Sequence, residues 1–343
     1  MTVHSAAPIS PDPPAPQPAK TSGLKFVVDR VLRIRELSVL VVDIVLIIYF
    51  GVANPAFFTL SNIQNISDFF SAAALIAVGE VFLLVCGEID LSAGMTFALV
   101  PVVMVTLNGD GMQLWLAMLI GLLVAAVIGL FNGLVTQYLK LPSFITTLGT
   151  LYLLHGISLT LAGSTPLPAP QEGIIPRIFG VWQWSELTWT VLMVLVMQVV
   201  LTQTRWGAHT VASGANMIGA SESGIKVRQI KIRAFVLTAV LSGLAGILDG
   251  TNIAKSFDPN AGGNNLMFTA VAAAVIGGTA LLGGSGTVVG AALGALLLAV
   301  LQDGFNIQGI SATTFVIVEG LAILLAMTLN IYFTRFRARA KVG

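Results

Sequence analysis

The sequence predicts an all-α polytopic membrane protein of about ten transmembrane helices with both termini cytoplasmic. Three observations predict it. Hydrophobic residues make up 56% of the chain and charged residues only 10%, where a soluble domain carries about 25% charged residues. Mean hydropathy is +0.91. The apolar residues fall in runs close to the roughly 20 residues that a helix needs to cross a bilayer.

Taken in order, residues 1–36 form a Pro-rich and then basic tail. Its first 22 residues lack the apolar core of a signal peptide and read as disordered. Predicted spans follow at 37–53, 68–86, 91–107, 113–136, 144–162, 187–202, 234–250, 267–282, 287–302 and 313–333, and residues 334–343 are a basic tail. Asn54-Pro55 ends the first span, and Asn108-Gly109-Asp110-Gly111 ends the third. A Pro-rich loop at 163–186 carries Trp182 and Trp184, whose indoles suit a membrane interface.

Charge orients this transmembrane domain, 37–333. With the N-terminus inside, the inner segments hold five Lys and Arg in the first tail, Lys140, five in the 205–233 loop and four in the last tail. The outer loops hold only Arg177 and Lys255. That accounts for all 17, and none falls inside a span. Cationic side chains are retained on the cytoplasmic side, so an even number of spans with both ends inside fits. The net charge of +1 gives no reason to expect nucleic-acid binding. The single cysteine, Cys86, permits no intramolecular disulfide and reads as a small buried residue.

Two stretches carry the polar chemistry. In Cys86-Gly-Glu-Ile-Asp-Leu-Ser-Ala-Gly94, Glu88, Asp90 and Ser92 lie between two apolar spans. A carboxylate there must pair, line water or sit at a helix end. Asp90 is placed to cap the third span, and roles in solute passage or proton relay stay open beside that. The 72–107 region reads either as two spans meeting at a tight inner turn or as a broken helix. The second stretch is the basic loop 205–233. Its middle, Gly214 to Ile225, reads as a short helix, with Ser213 or Asn216 at its start and Gly224 past its end. Isolated candidates for the solute pathway are Glu319, inside the tenth span, and the polar and aromatic set around Asn65 and Phe69. The three histidines are scattered, so no metal site is expected.

The motif Gly87–Gly94 resembles the GGIDLSVGS signature of sugar-type ABC importer permeases of the ribose, xylose and arabinose class. Gly214–Ile225 is similar to the cytoplasmic loop of that family, GGN-x-x-A-x-x-x-SGI. Gly277–Gly290 is similar to its GGTSL-x-GG-x-G-x-x-x-G run, and Leu148-Gly149 with His155-Gly156-Ile157 resembles LG-x-L-x-x-x-RGI. Four motifs in the family's order span about residues 60–330. This chain departs from them at Glu88 (commonly Gly), at Ile218-Gly219 (a small pair), at Ser285 (often Lys) and at His155 (often Arg).

The resemblance implies a pore subunit working with a second permease copy, cytoplasmic ATP-binding subunits and a periplasmic sugar-binding protein. It implies that the 205–233 loop is the coupling element, with Asn216, Ala220, Ser223, Gly224 and Ile225 at the matching positions. The chain is then no enzyme itself and binds no cofactor, and ATP is used by the partner. The residues agree: the glycines at 277–290 lack the lysine of a phosphate-binding loop and read as close helix packing and a tight turn. A permease for a nucleoside or branched-chain amino acid is the nearer alternative, and a proton-coupled carrier the more distant one.

Overall fold

The computed structural model describes residues 35–328 apart from 181, 253, 312, 315, 322, 323 and 325–327. The two predicted tails lie outside the described residues, except for the start of the first helix. Helix α1 spans Arg35–Ala53, α2 Leu60–Val85, α3 Ala93–Gly109, α4 Leu114–Tyr138, α5 Ser143–Ala162, α6 Ile174–Phe179 and α7 Ser185–Gln203. They are followed by α8 Arg205–Ala215, α9 Met217–Glu222, α10 Val227–Asn252, α11 Gly263–Ile276 and α12 Val288–Ile307. Each of the first nine predicted spans falls on one of these helices. The tenth lies partly outside the described residues and is helical where described.

Seven of the described helices are long and apolar enough to cross a membrane, while α3 and α11 are apolar but shorter. The chain is thus a polytopic, all-helical membrane protein. A two-residue antiparallel pair, β1 Leu167–Pro168 with β2 Ser256–Phe257, ties the Pro-rich loop to the loop after α10.

Burial divides the helices by role. Residues 71–86 of α2 with its cap, and residues 90–102 leading through α3, are buried without interruption. Helices α10 and α11 pack against both members of this pair, and α12 packs against α2. The outer helices α1, α4, α5 and α7 instead expose Leu, Val, Ile and Phe side chains, as a surface facing hydrocarbon does. Pro101 lies inside α3. Proline removes a backbone donor and so frees the carbonyl four residues back. That carbonyl, Phe97 O, is met by Gly246 of α10, where a Cβ would collide with it.

Two helix starts differ from the sequence reading. The second span begins at Leu60, not near Asp68, because the polar residues Asn62, Gln64 and Asn65 continue the helix. The seventh begins at Val227, not Ala234, so Arg228, Lys231 and Arg233 are helical.

Candidate functional site

The 86–92 turn joins α2 to α3 inside the bundle. Gly87, at φ +75, reverses the chain in a left-handed conformation that glycine adopts without steric cost. Its neighbours' donors are consumed locally or by α5. Glu88 N–H donates to Leu83 O at 2.9 Å, Ile89 N–H to Ser143 Oγ at 3.3 Å, and Leu91 N–H to Thr147 Oγ1 at 3.1 Å. Helix α2 therefore runs unbroken to Val85, and the turn is a folded hairpin between two helices.

Asp90 is fully buried. Its Oδ1 accepts from Ser92 N–H at 2.9 Å and from Ser92 Oγ at 2.5 Å. Asn132 Nδ2 donates to both carboxylate oxygens at 3.3 and 3.4 Å and to Ser92 Oγ at 2.8 Å. Thr150 Oγ1 closes the network by donating to Asn132 Oδ1 at 2.7 Å. The residue capping α3 is Ser92, without a side-chain cap bond. Asp90 sits two residues earlier and satisfies the backbone donor of the cap residue instead. Asn132 lies six residues before the end of α4. At 1.5 Å per residue the network sits about 9 Å inside the helix ends.

Glu88 stands above it. Lys231 Nζ lies 2.7 Å from Glu88 Oε1, and both side chains are only 11% exposed. Gln137 Nε2 of α4 donates to the same oxygen at 3.1 Å. The Lys231 partner exists because α10 starts early and carries this lysine in its second turn.

Two of the other motifs, Gly214–Ile225 and Gly277–Gly290, reach the same hairpin. Val85 O accepts from Gly284 N–H at 2.8 Å. Gly214, near the end of α8, abuts that same carbonyl so closely that a Cβ would overlap it. Gly277 of the loop after α11 packs likewise on Gly290 O of α12. The glycines at 277–290 thus serve close packing, as the sequence suggested.

From Gly214 the chain enters the capped turn. Asn216 Oδ1 accepts from Gly219 N–H at 3.0 Å and caps α9, while Ser213, the other sequence candidate, is buried within α8. Gly224 N–H donates to Ser221 O and Ile225 N–H to Ala220 O, both at 3.0 Å, with Gly224 at φ +82. That bond pair is the Schellman helix ending. Ser223 Oγ donates to Gly219 O at 2.8 Å. Asn216, Ala220, Ser223, Gly224 and Ile225 therefore build one compact, doubly capped turn. Ala220 faces inward at 6% exposure, while Met217 and Ile218 face outward at 56% and 69%. An open cleft of about 1050 Å³ separates α9 and the start of α10 from the end of α4, with Glu88, Lys140, Lys226 and Arg228 among its lining residues.

Other sequence candidates lie elsewhere. Asn65 and Phe69 are exposed on the first half of α2, and Asn65 is 20 residues, about 30 Å, from Val85 along the helix. Their neighbour Asn62 is buried and donates to Asp303 Oδ2 at 2.6 Å. Glu319 Oε1 accepts from Thr269 Oγ1 on α11. Asn132, Gln137, Thr150 and Lys231 complete the site and were not singled out from the sequence. Among the described residues no group of His, Cys, Asp and Glu could hold a metal ion.

The chain belongs to the family described as branched-chain amino acid transport system / permease component, which matches residues 62–327. It is 35% identical over 325 residues to the xylose/arabinose import permease protein XylH of Sulfolobus acidocaldarius, covering 91% of this chain and 89% of that one. It is 33% identical over 306 residues to the autoinducer 2 import system permease protein LsrC of Yersinia pseudotuberculosis, covering 88% and 85%. LsrC of Yersinia pestis matches to the same extent. No solved structure matches the chain significantly.

Proposed function

We propose that this chain is the membrane-spanning permease subunit of an ATP-driven, binding-protein-dependent importer, and that its solute is a monosaccharide or related polyol. Similarity to import permeases over about nine-tenths of the chain supports import. The xylose/arabinose relative supports the sugar class. In this reading the chain has ten spans in a cytoplasmic membrane, with both tails and the 205–233 loop inside. It pairs with a second permease copy, which completes the pathway, and receives solute from an external binding protein.

The observation that carries the coupling half of the reading is the doubly capped turn at 216–225, which presents Met217 and Ile218 outward from a fixed base. Two exposed apolar side chains on a rigid, one-turn helix suit insertion into a partner's groove. The partner is an ATP-binding subunit, since the chain has no phosphate-binding loop with its lysine. The departure at Ile218 falls on the outward face and so changes the docking surface without disturbing the bundle.

Co-purification with an ATP-binding subunit, and loss of uptake when that subunit is deleted, is the expected result. Uptake by the purified chain alone in proteoliposomes under a proton gradient would overturn the reading in favour of a secondary carrier. A branched-chain amino acid is the second solute class, favoured by the family's description. Ligand binding by the partnering binding protein decides between the two: a sugar supports the first, an aliphatic amino acid the second.

A further inference from the structure

We propose that the Glu88–Lys231 ion pair is the link through which displacement of the 216–225 turn reaches the Asp90 hairpin. The proposal rests on the reading that this turn meets the ATP-binding partner. Lys226 alone separates Ile225 from α10, so the capped turn is continuous with a 26-residue helix. A helix of that length moves as a rod, and Lys231 rides in its second turn. Glu88 lies two residues from Asp90 on a hairpin whose backbone is pinned to α5. The ion pair therefore adds a charged contact of 2.7 Å between the start of this rod and the hairpin, beside the close packing of Ile232 on Gly133.

Three features make it a link rather than a surface bridge. It is the single ion pair among the described residues. Both side chains are nearly buried, so salt screens the pair little, and loss of one partner leaves a stranded charge. Glu88 also lines the cleft that contains Lys140, Lys226 and Arg228. Lys140, Lys226 and Arg228 are the cations to which Glu88 would turn in the proposed displacement. The Gly214–Val85 contact beside it is backbone against backbone and has no such alternative. Glu88 and Lys231 are in these respects positioning residues.

The test uses the assembled transporter in proteoliposomes, with uptake and ATP hydrolysis measured on the same samples. Glu88→Gln and Lys231→Met are each expected to retain hydrolysis while uptake per ATP falls roughly tenfold, within the range of an energetic coupling between sites. The reversed pair Glu88→Lys/Lys231→Glu should restore most of the ratio. Glu88→Gln keeps the size and shape of the side chain and removes only the charge that pairs with Lys231, so it decides the matter if Lys231→Met fails to assemble. A wild-type ratio in Glu88→Gln overturns the proposal, even if thermal stability drops, because that pattern is purely structural. Ile218→Cys serves as the separate control. If it does not crosslink to the ATP-binding subunit, the reading that the 216–225 turn meets that subunit falls and takes this link with it. If it crosslinks and the ratio is unchanged, the link alone falls.

Discussion

Asn132 is the residue on which the buried network turns. Its amide donates to Asp90 and Ser92 and accepts from Thr150, so one side chain on α4 satisfies groups on the 86–92 turn and on α5. Burying a carboxylate without such donors is costly. Asn132→Ala should therefore destabilise the protein by about 1–3 kcal/mol, the usual cost of leaving buried polar partners unsatisfied. Thermal unfolding in detergent measures it, with exposed Asn65→Ala as the control expected to stay within about 0.5 kcal/mol of wild type. Equal stability of the two variants would show that Asp90 is satisfied in another way. Asp90 and Ser92 were legible as site residues because charge stands out between apolar spans. Asn132 and Thr150 were not, because a lone uncharged amide or hydroxyl inside a run such as Gly-Leu-Phe-Asn-Gly leaves the span's mean hydropathy high and the charge count unchanged.

At the scale of elements, α9 is a six-residue helix, too short to persist on its own propensity. Its caps hold it. Replacing an Asn cap by Ala costs about 1 kcal/mol, and forcing a branched residue into the left-handed conformation of Gly224 costs about 1–2 kcal/mol. Asn216→Ala should therefore lower ATP-dependent uptake partially. Gly224→Val should abolish it while membrane insertion, followed by immunoblotting of membranes, stays normal. Uptake at the normal rate in Gly224→Val would sink the coupling role of the turn. Gly214→Leu belongs to a different class: its side chain would displace α8 from the Val85 carbonyl, so the expected result is loss of folded protein by size-exclusion chromatography. A monodisperse Gly214→Leu protein would show that α8 can shift without harm. The caps of α9 were readable in advance, since Asn, Ser-Gly and the spacing between them have local geometric meaning. The start of α10 was not. Arg228, Lys231 and Arg233 read as a solvated loop by charge, whereas the backbone continues as helix and the buried lysine finds its counter-charge 143 residues away. Pairings over such separations leave no local mark.

For the whole molecule, the charge asymmetry and the described fold point the same way. Lys140, Lys226 and Arg228 lie around one cleft, while the loop carrying Arg177 and the loop carrying Lys255 meet through the β1–β2 pair. Segregation of this kind is what retention of cations on the cytoplasmic side produces. The fold class was legible because hydropathy is additive over a span, and the convergence of Gly214 and Gly284 on Val85 was not, because packing partners are a property of three dimensions. The segregation gives an orientation that labelling can check. Cys86 is the sole cysteine and is 2% exposed, so the wild-type chain should be silent toward maleimides and serve as its own background. Glu172→Cys, exposed in the Pro-rich loop, should react with a membrane-impermeant maleimide in intact cells. Ser223→Cys, exposed after α9, should react only with a permeant reagent or after lysis. The reverse pattern would invert the topology and remove the 216–225 turn from the cytoplasm, and with it any contact with an ATP-binding subunit. Labelling of both positions from outside would mean that an even number of spans separates them, against the single span, α7, that lies between residues 172 and 223, and would remove α7 from the proposed threading.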